Sequence, residues 1–595
     1  MRRTRGSVRC SRGGRVIRGW QQGEGPLWTA EVPEVKAGAW YFRQLFVNGE
    51  RRARGRLPQE GYYTIAGPAE PRKWGFKFNS GEIDPNWRNL DDVEIVVLQF
   101  WTEARQRIAS IDEEARIVKF TGQVFRPVDW NKGWYVDNVY EGLLHPGDWY
   151  LDRGTGVLHY WPMPGEKMEE VEVVAPVTRH WLRLEGDWAT GALVERLTFR
   201  GLTFRYSAWD LEEGLGYSYP QAAVSITPGE LLWAGHPAEG LSIPQSQIEV
   251  PAGIFAKGVR HVAFEGNEIA HTGAWGIDLS LGCQDNAVAG NHLYDLGAGG
   301  VRVGSTDVTR DDAEEARGNV ITDNHIHDGC CVYLGAPGIW IGQSSANRVA
   351  HNEVHGVFEW AISVGWTWGF MPPNRARDNV IEYNHVHHLG AGPLGTHGAI
   401  YFVGIQPGST ARYNLVHDIR GHGSGIVLDN ACVGIVVEYN VVHHCEYASF
   451  MSNHNVLGNI IQNNVFALSE QTQIHRIGDM PGDRAKVQQT GVAYRNIWYW
   501  KDAKLFRRDD WPNYDLIMDY NVYYDGTDGS GTRFLSCSFD EWKEKGLDAH
   551  SVFADPLFVD AASNDFRLKP DSPAFGLGFR PIDLSTVGPR TRSHS

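Results

Sequence analysis

From residue 258 onward, apolar and polar positions alternate in short runs, and run after run closes on an asparagine. The unit reads VAFEGNEIAH at 262, AVAGNHLYD at 287, VITDNHIHD at 320, RVAHNEVHG at 348 and VIEYNHVHH at 380. It continues as ARYNLVHD at 411, VVEYNVVHH at 436, IIQNNVFA at 460, VAYRNIWY at 492 and IMDYNVYY at 517. The anchoring residues are Asn267, Asn291, Asn324, Asn352, Asn384, Asn414, Asn440, Asn464, Asn496 and Asn521, separated by 24 to 33 residues. A unit of that length holds two or three short strands and cannot bury a face alone; stacked coils share one interior and form long parallel sheets. An asparagine at the corner between two strands can bond to the coils above and below, so the ten predict a single interior ladder.

A further strand follows each corner: GIDLS at 276, GVRVG at 300, GIWIG at 338, AISVG at 361, AIYFV at 399 and GIVLD at 425. Alternation turns Ile277, Val301, Ile339, Ile362, Ile400 and Ile426 inward. Asp278, Arg302, Trp340, Ser363, Tyr401 and Val427 then form an outward column that ends, in the last coil, beside Asp429. His327, His355, His387, His417 and His443 share one repeat position. Stacked at about one strand spacing, they read as rungs whose ring nitrogens are occupied by ladder hydrogen bonds, not as a convergent metal site.

Earlier residues have a different texture. VEIVVLQFW at 93, RIVKFTG at 116 and WYLDRGTGVLHYWP at 149 are antiparallel strands with hairpin turns. The predicted fold is all-β: a right-handed parallel β-helix with an inserted, sandwich-like β module near the N-terminus. Residues 1–40 are assigned to the solenoid's first segment, 41–185 to the insertion, 186–540 to the β-helix and 541–595 to a capping tail.

Composition narrows the chemistry. A net charge of −16 over 595 residues argues against nucleic acid and against a polyanionic substrate. The 23 Trp, 23 Tyr and 24 Phe fill the core, and some suit a groove that holds the apolar faces of sugars. Neither a membrane-spanning stretch nor the apolar run of a secretory signal is visible. The seven cysteines, Cys10, Cys283, Cys330, Cys331, Cys432, Cys445 and Cys537, lack framework spacing and read as free thiols in a reducing compartment, which favours the cytoplasm.

The segments QLFVNGERRARGRLPQEGYY (44–63), WYLDRGTGVLHYWP (149–162), GIWIGQSSANRVAHNEVH (338–355), ISVGWTWGF (362–370) and AIYFVGIQPG (399–408) resemble a family of bacterial β-helix proteins, glycoside hydrolase family 141. Family 120 β-xylosidases are similar at a greater distance. The resemblance implies hydrolysis of glycosidic bonds, with fucosidase- or xylanase-like activity. Of the family's motifs, Ser-Asp-Met-Gly-Gly-Ile-Tyr falls on Gly395–Tyr401, which puts Thr396 at the acidic position. Leu-Asp-Glu falls on Leu428-Asp429-Asn430 and retains the aspartate, and a later His-Gln-His falls on Met451-Ser452-Asn453.

Glycosidases use two carboxyl groups. Asp429 is the first candidate; against it stands an aspartate that merely closes a strand-end turn with Asn430. Glu359 and His397 occupy equivalent places in consecutive coils, as an acid–base pair or as a surface ion pair. Trp340, Trp366, Trp368 and Tyr401 supply aromatic walls, Trp209 and Gln221 a rim, and Asn430 a polar contact, each competing with a packing role. The expected partner is a carbohydrate, with no nucleic acid, membrane, metal or cofactor, and oligomeric state is left open. Two further readings remain: a sugar-binding relative that has lost catalysis, and a polysaccharide lyase or epimerase, for which Arg302 is the only basic residue in the outward column.

Overall fold

The computed structural model describes residues 9–590 apart from 123, 125–127, 129–132, 210–216, 220–249, 306–307, 367–373, 391, 396–397, 454–456, 477–490, 508–515 and 528–531. Its body is a parallel β-helix of three long sheets, two of 11 strands and one of 13. Each coil contributes one strand to each sheet; Gly398–Val403, Thr410–Arg412 and Leu415–Ile419 belong in that order to the first, second and third. Ile277, Val301, Ile339, Ile362, Ile400 and Ile426 are fully buried in one continuous core, as their alternation predicts.

The asparagine ladder lies at the corner between the second and third sheets. Asn384 donates from Nδ2 to Val349 O at 2.9 Å and to Asn414 Oδ1 at 3.0 Å. Its own Oδ1 accepts from the backbone N and Nδ2 of Asn352, both at 3.0 Å. The same side-chain bond runs unbroken from Asn267 to Asn521. The residue before every rung is left-handed, including Tyr383 (φ 54), Tyr413 (φ 53) and Tyr439 (φ 56). Such backbone is disfavoured for a residue with a Cβ, and here the rings stack with centroids 4.9 Å apart. A second ladder, five residues earlier in each coil, joins Asn286, Asn319, Asn347 and Asn379, is handed to Ser409, and resumes at Asn459.

The histidine column stacks as the repeat implies, with centroids 4.8 to 5.3 Å apart from His327 to His443. Its bonding differs from the expectation. Faces stacked in parallel do not aim their in-plane nitrogens at one another, so the rings bond diagonally to the next outward column. His292 meets His327 at 2.8 Å, His325 meets His355 at 2.9 Å and His385 meets His417 at 2.8 Å. Burial and neighbouring imidazoles hold His385 down to about 4.

The insertion starts earlier than residue 41. Only Arg9–Arg12 joins the third sheet, alongside Leu202–Arg205. Gly14–Ile17 already pairs with Val173–Pro176, and Trp28–Glu31 with Val157–Tyr160. Leu182–Glu185 returns to the first sheet beside Ala252–Lys257. Gly14–Ile17 and the inner side of Trp28–Glu31 find these partners more than 100 residues away, where no local pattern reports them. Two four-stranded sheets pack around Phe42, Leu45, Trp149 and Tyr160. An outer antiparallel sheet packs around Phe76, Val97 and Trp134.

The tail also departs from the expected boundary at 541, since Val552–Phe553 is still a strand of the third sheet. Helix Phe539–Glu544, started by a Ser538 capping box, lays Trp542 on the core. The chain then runs back along the left-handed corner. It bonds through Leu577 to Arg495, Arg580 to Asn463, Thr586 to His351, Gly588 to Tyr383 and Arg590 to Asp323. No helix among the described residues is long and apolar enough to cross a membrane.

Replacing Asn384 by Ala removes two donated bonds and leaves buried partners unsatisfied. Chemical denaturation should show a loss of about 3 kcal/mol or more, against a change within about 0.5 kcal/mol for an exposed polar residue such as Gln22. The six cysteines whose side chains are described are free, so the melting temperature should be the same with and without reductant.

Candidate active site

The alternation places one column of the first sheet outward. Asp278, Arg302, Trp340, Ser363, Tyr401 and Val427 do stand in register along one side, but every one is buried. The insertion meets the solenoid beside this column. Its hairpin Glu94–Gln99 and Thr102–Asp112 reaches over the solenoid, where Phe100 O accepts from Gly395 N at 2.7 Å and Glu103 Oε1 from Leu334 N at 2.8 Å. Arg302 lies 3.9 Å from Asp278 and its guanidinium 5.3 Å from the Trp340 ring. The column's one basic group is thereby engaged by its own neighbours.

Asp429 follows strand Ser424–Leu428 and is buried. Its Oδ2 accepts from the Tyr401 hydroxyl at 2.5 Å, while Asn453 donates to Oδ1 and Asn430 does so weakly at 3.4 Å. The turn beyond it is closed by backbone, Cys432 N to Asp429 O at 3.1 Å. The carboxylate therefore faces side chains of three coils, which is more than a turn-closing aspartate requires. Three donors thus converge on it. Burial and the Asp429 charge hold Tyr401 well above the usual phenol range, and Glu359 adds to the effect.

Glu359 is fully buried, and neither carboxyl oxygen has a hydrogen-bond partner. The neighbouring Trp360 indole N–H lowers its pKa slightly without meeting hydrogen-bond geometry. Burial first, and the Glu103 carboxylate second, push Glu359 well above the usual carboxyl range. Glu103 itself is raised to about 7 by burial, with Arg105 and the Leu334 N–H pulling it back. Glu359 is thus raised by Glu103, across the domain boundary, and in turn raises Tyr401, the partner of Asp429.

The aromatic candidates divide. Trp366 lies between Trp340 and Tyr401, with centroids 6.3 and 6.0 Å away, and Trp360 packs on Tyr401 at 4.0 Å. Trp366 has a positive φ of 77. Such backbone costs a bulky residue on the order of 1–3 kcal/mol, and it is held by bonds from its N to Val403 O and from its Nε1 to Ser363. Trp209 is a clamp between domains: Arg43 and Arg105 of the insertion lie 4.7 and 5.3 Å from its ring, and its N donates to Gln44. His397, Trp368, Gln221 and Thr396 lie outside the described residues.

Sequence reasoning missed Glu103 and Trp360. The signal for Glu103 is faint: Glu103, Arg105 and Arg107 alternate with Ala104 and Ile108, so one strand face is charged. That this face is buried against the solenoid follows only from the tertiary fold. A carboxyl with a raised folded pKa stabilises the fold fully below its unfolded value and loses that contribution as pH rises through the folded one. Glu103 therefore weakens the fold as pH climbs from about 4.5 to about 7. Glu103→Gln should flatten the fall in melting temperature across that window and leave the variant more stable than wild type at pH 8.

Comparison with known proteins fits this architecture. Residues 25–163 match the family described as the GH141 insertion domain, and residues 240–354 the right handed beta helix region. A solved structure named as a glycoside hydrolase superposes with a TM-score of 0.66 at 22% identity, covering 79% of this chain and 83% of its own. The complex of XylC with xylose gives 0.46 at 13% identity, covering 93% and 77%. A 93-residue stretch is 34% identical to the uncharacterized protein YwoF of Bacillus subtilis (strain 168); the match covers 13% of this chain and only 18% of that protein's length. The chain is a right-handed parallel β-helix protein that carries a GH141 insertion domain and resembles glycoside hydrolase family 141.

Proposed function

We propose that this protein hydrolyses glycosidic bonds, with Asp429 as the ionised carboxylate and Glu359 as the acid that protonates the leaving oxygen. The observation that carries the proposal is the fully buried Glu359 carboxyl with neither oxygen bonded. A buried carboxylate in that state would be heavily penalised, whereas a neutral acid held above the usual range has a proton to give. Glu103, carried on the insertion, keeps that proton in place by like-charge repulsion. Asp429, satisfied by donors, is suited to attack the anomeric carbon or to activate water. Arg302, the residue that favoured a lyase, is engaged by Asp278 and Trp340.

The family resemblance makes aryl α-L-fucosides and β-xylosides the first substrates to screen. On a substrate so found, Asp429→Asn should lower kcat/KM by about a thousandfold or more, a loss of the size such groups contribute. Glu359→Gln should lose most on poor leaving groups, least on activated aryl glycosides, and should abolish the alkaline fall of the pH–rate profile. That sign follows from the raised pKa: the acid works protonated, and activity drops as pH passes its folded value. Full activity in both variants would end this assignment. Saturable sugar binding without turnover by wild type would instead favour the binding relative.

A further inference from the structure

The opposite outer face of the solenoid holds a second cluster of chemistry-bearing groups. On the third sheet, His325, Glu353 and His385 stand in one register column, and His327, His355, His387 and His417 in the next. Around the Glu353 carboxylate, Oε1 lies 3.2 Å from His387 Nε2 and 3.7 Å from His385 Nδ1, while Oε2 lies 3.8 Å from His325 Nε2. The ligand atoms of Glu353, His385 and His387 all lie within 4.8 Å of one another. Two donors bound to one tetrahedral zinc at its usual bond lengths are about 3.3 Å apart.

The hydrogen bonds behind these groups fix what they present. Asp418 Oδ2 lies 2.7 Å from His417 Nδ1, so that nitrogen carries the proton. His417 Nε2 must then accept, and its partner at 2.8 Å is His385 Nε2, which donates. His385 Nδ1 is left as a bare lone pair, and it faces a carboxylate oxygen. Two acceptors confronting each other attract a cation. A carboxylate–imidazole relay behind a ligating ring is the arrangement that orients histidine ligands in metal sites. His387 Nδ1 is bonded to His388 Nδ1 at 2.7 Å, and its Nε2 turns to Glu353 Oε1 at 3.2 Å, where it would give up a proton to ligate.

We infer that Glu353, His385 and His387 bind one divalent transition-metal ion of the zinc class, with a fourth position open to water. Imidazole and carboxylate donors select such an ion over magnesium or calcium. The ion would tie two successive coils across the outer face, far from Asp429 in the coil cross-section. The inference is independent of the proposed hydrolysis.

The test is calorimetric titration of the chelator-stripped full chain with zinc chloride, together with visible spectroscopy after cobalt(II) replacement. One ion per chain is expected, with the intense d–d bands of tetrahedral nitrogen and oxygen ligation. Glu353→Gln and His387→Ala should each weaken binding at least tenfold, and His550→Ala, on a distant strand end, should leave it unchanged. Glu353→Gln nearly preserves volume and can still bond to His387, so it keeps the test valid should His387→Ala fail to fold; circular dichroism checks both. Absence of saturable uptake would overturn the site. So would equal uptake by a folded Glu353→Gln protein, or several ions per chain bound alike in every variant, which would place the metal on His292, His325 and His327 or nowhere in particular.

Discussion

Everything in this fold depends on one buried amide bond repeated once per coil. An asparagine carboxamide has two donor hydrogens and an oxygen with two lone pairs, and each ladder asparagine here uses all of them on the coils before and after it. No other side chain of that length offers both functions in one plane; aspartate lacks the donors and serine the reach. The bonds also hold the left-handed residue before each rung, a conformation that tyrosine or histidine enters only under constraint. Because the corner is fixed by side chains, coil length is free to vary between 24 and 33 residues. The added length accumulates in the turns that flank the first sheet, where the candidate site lies.

The insertion then changes the meaning of that sheet. A β-helix normally presents its outward column to solvent, where a carboxyl is solvated and unremarkable in its acidity. Here the hairpin carrying Phe100 and Glu103 is anchored to Gly395 and Leu334, and the column residues are buried. Desolvation is the leading cause of the raised values at Glu103, Glu359 and Tyr401 alike. Asp429, also buried, collects hydrogen-bond donors. On the reading proposed above, contact with the insertion gives two carboxyl groups different characters, acid and anion.

The sequence made the solenoid legible because its determinants are local and recur: inward Ile277 to Ile426, the first ladder and the stacked histidines all repeat at one position per coil. The second ladder escaped notice because Ser409 and Ile435 interrupt its row of asparagines. The insertion's true start was hidden because Gly14–Ile17 finds its partner at Val173–Pro176, and long-range antiparallel pairing leaves no local period. Asp429 was legible from its place at a strand end. The state of Glu359 was not, since it depends on Glu103, some 250 residues away in sequence. The packing of Trp209 was hidden for the same reason: the arginines that lie over it belong to another domain.

A stacked coil enforces a distance as well as a shape. Whatever residue occupies an outward position meets its counterparts at about one strand spacing, near 4.8 Å. That is too close for like charges to remain ionised together without donors, and close enough for rings to stack and for ligands to share an ion. On the first sheet the column avoids conflict by alternating character, Asp278 against Arg302, Trp340 against Ser363, and Tyr401 below Val427. On the third sheet it repeats histidine, which can remain neutral and alternate donor with acceptor along a diagonal. Glu353 stands between His325 and His385 in one column, and Asp418 sets the tautomers of His417 and His385, so the His385 lone pair faces the Glu353 carboxylate.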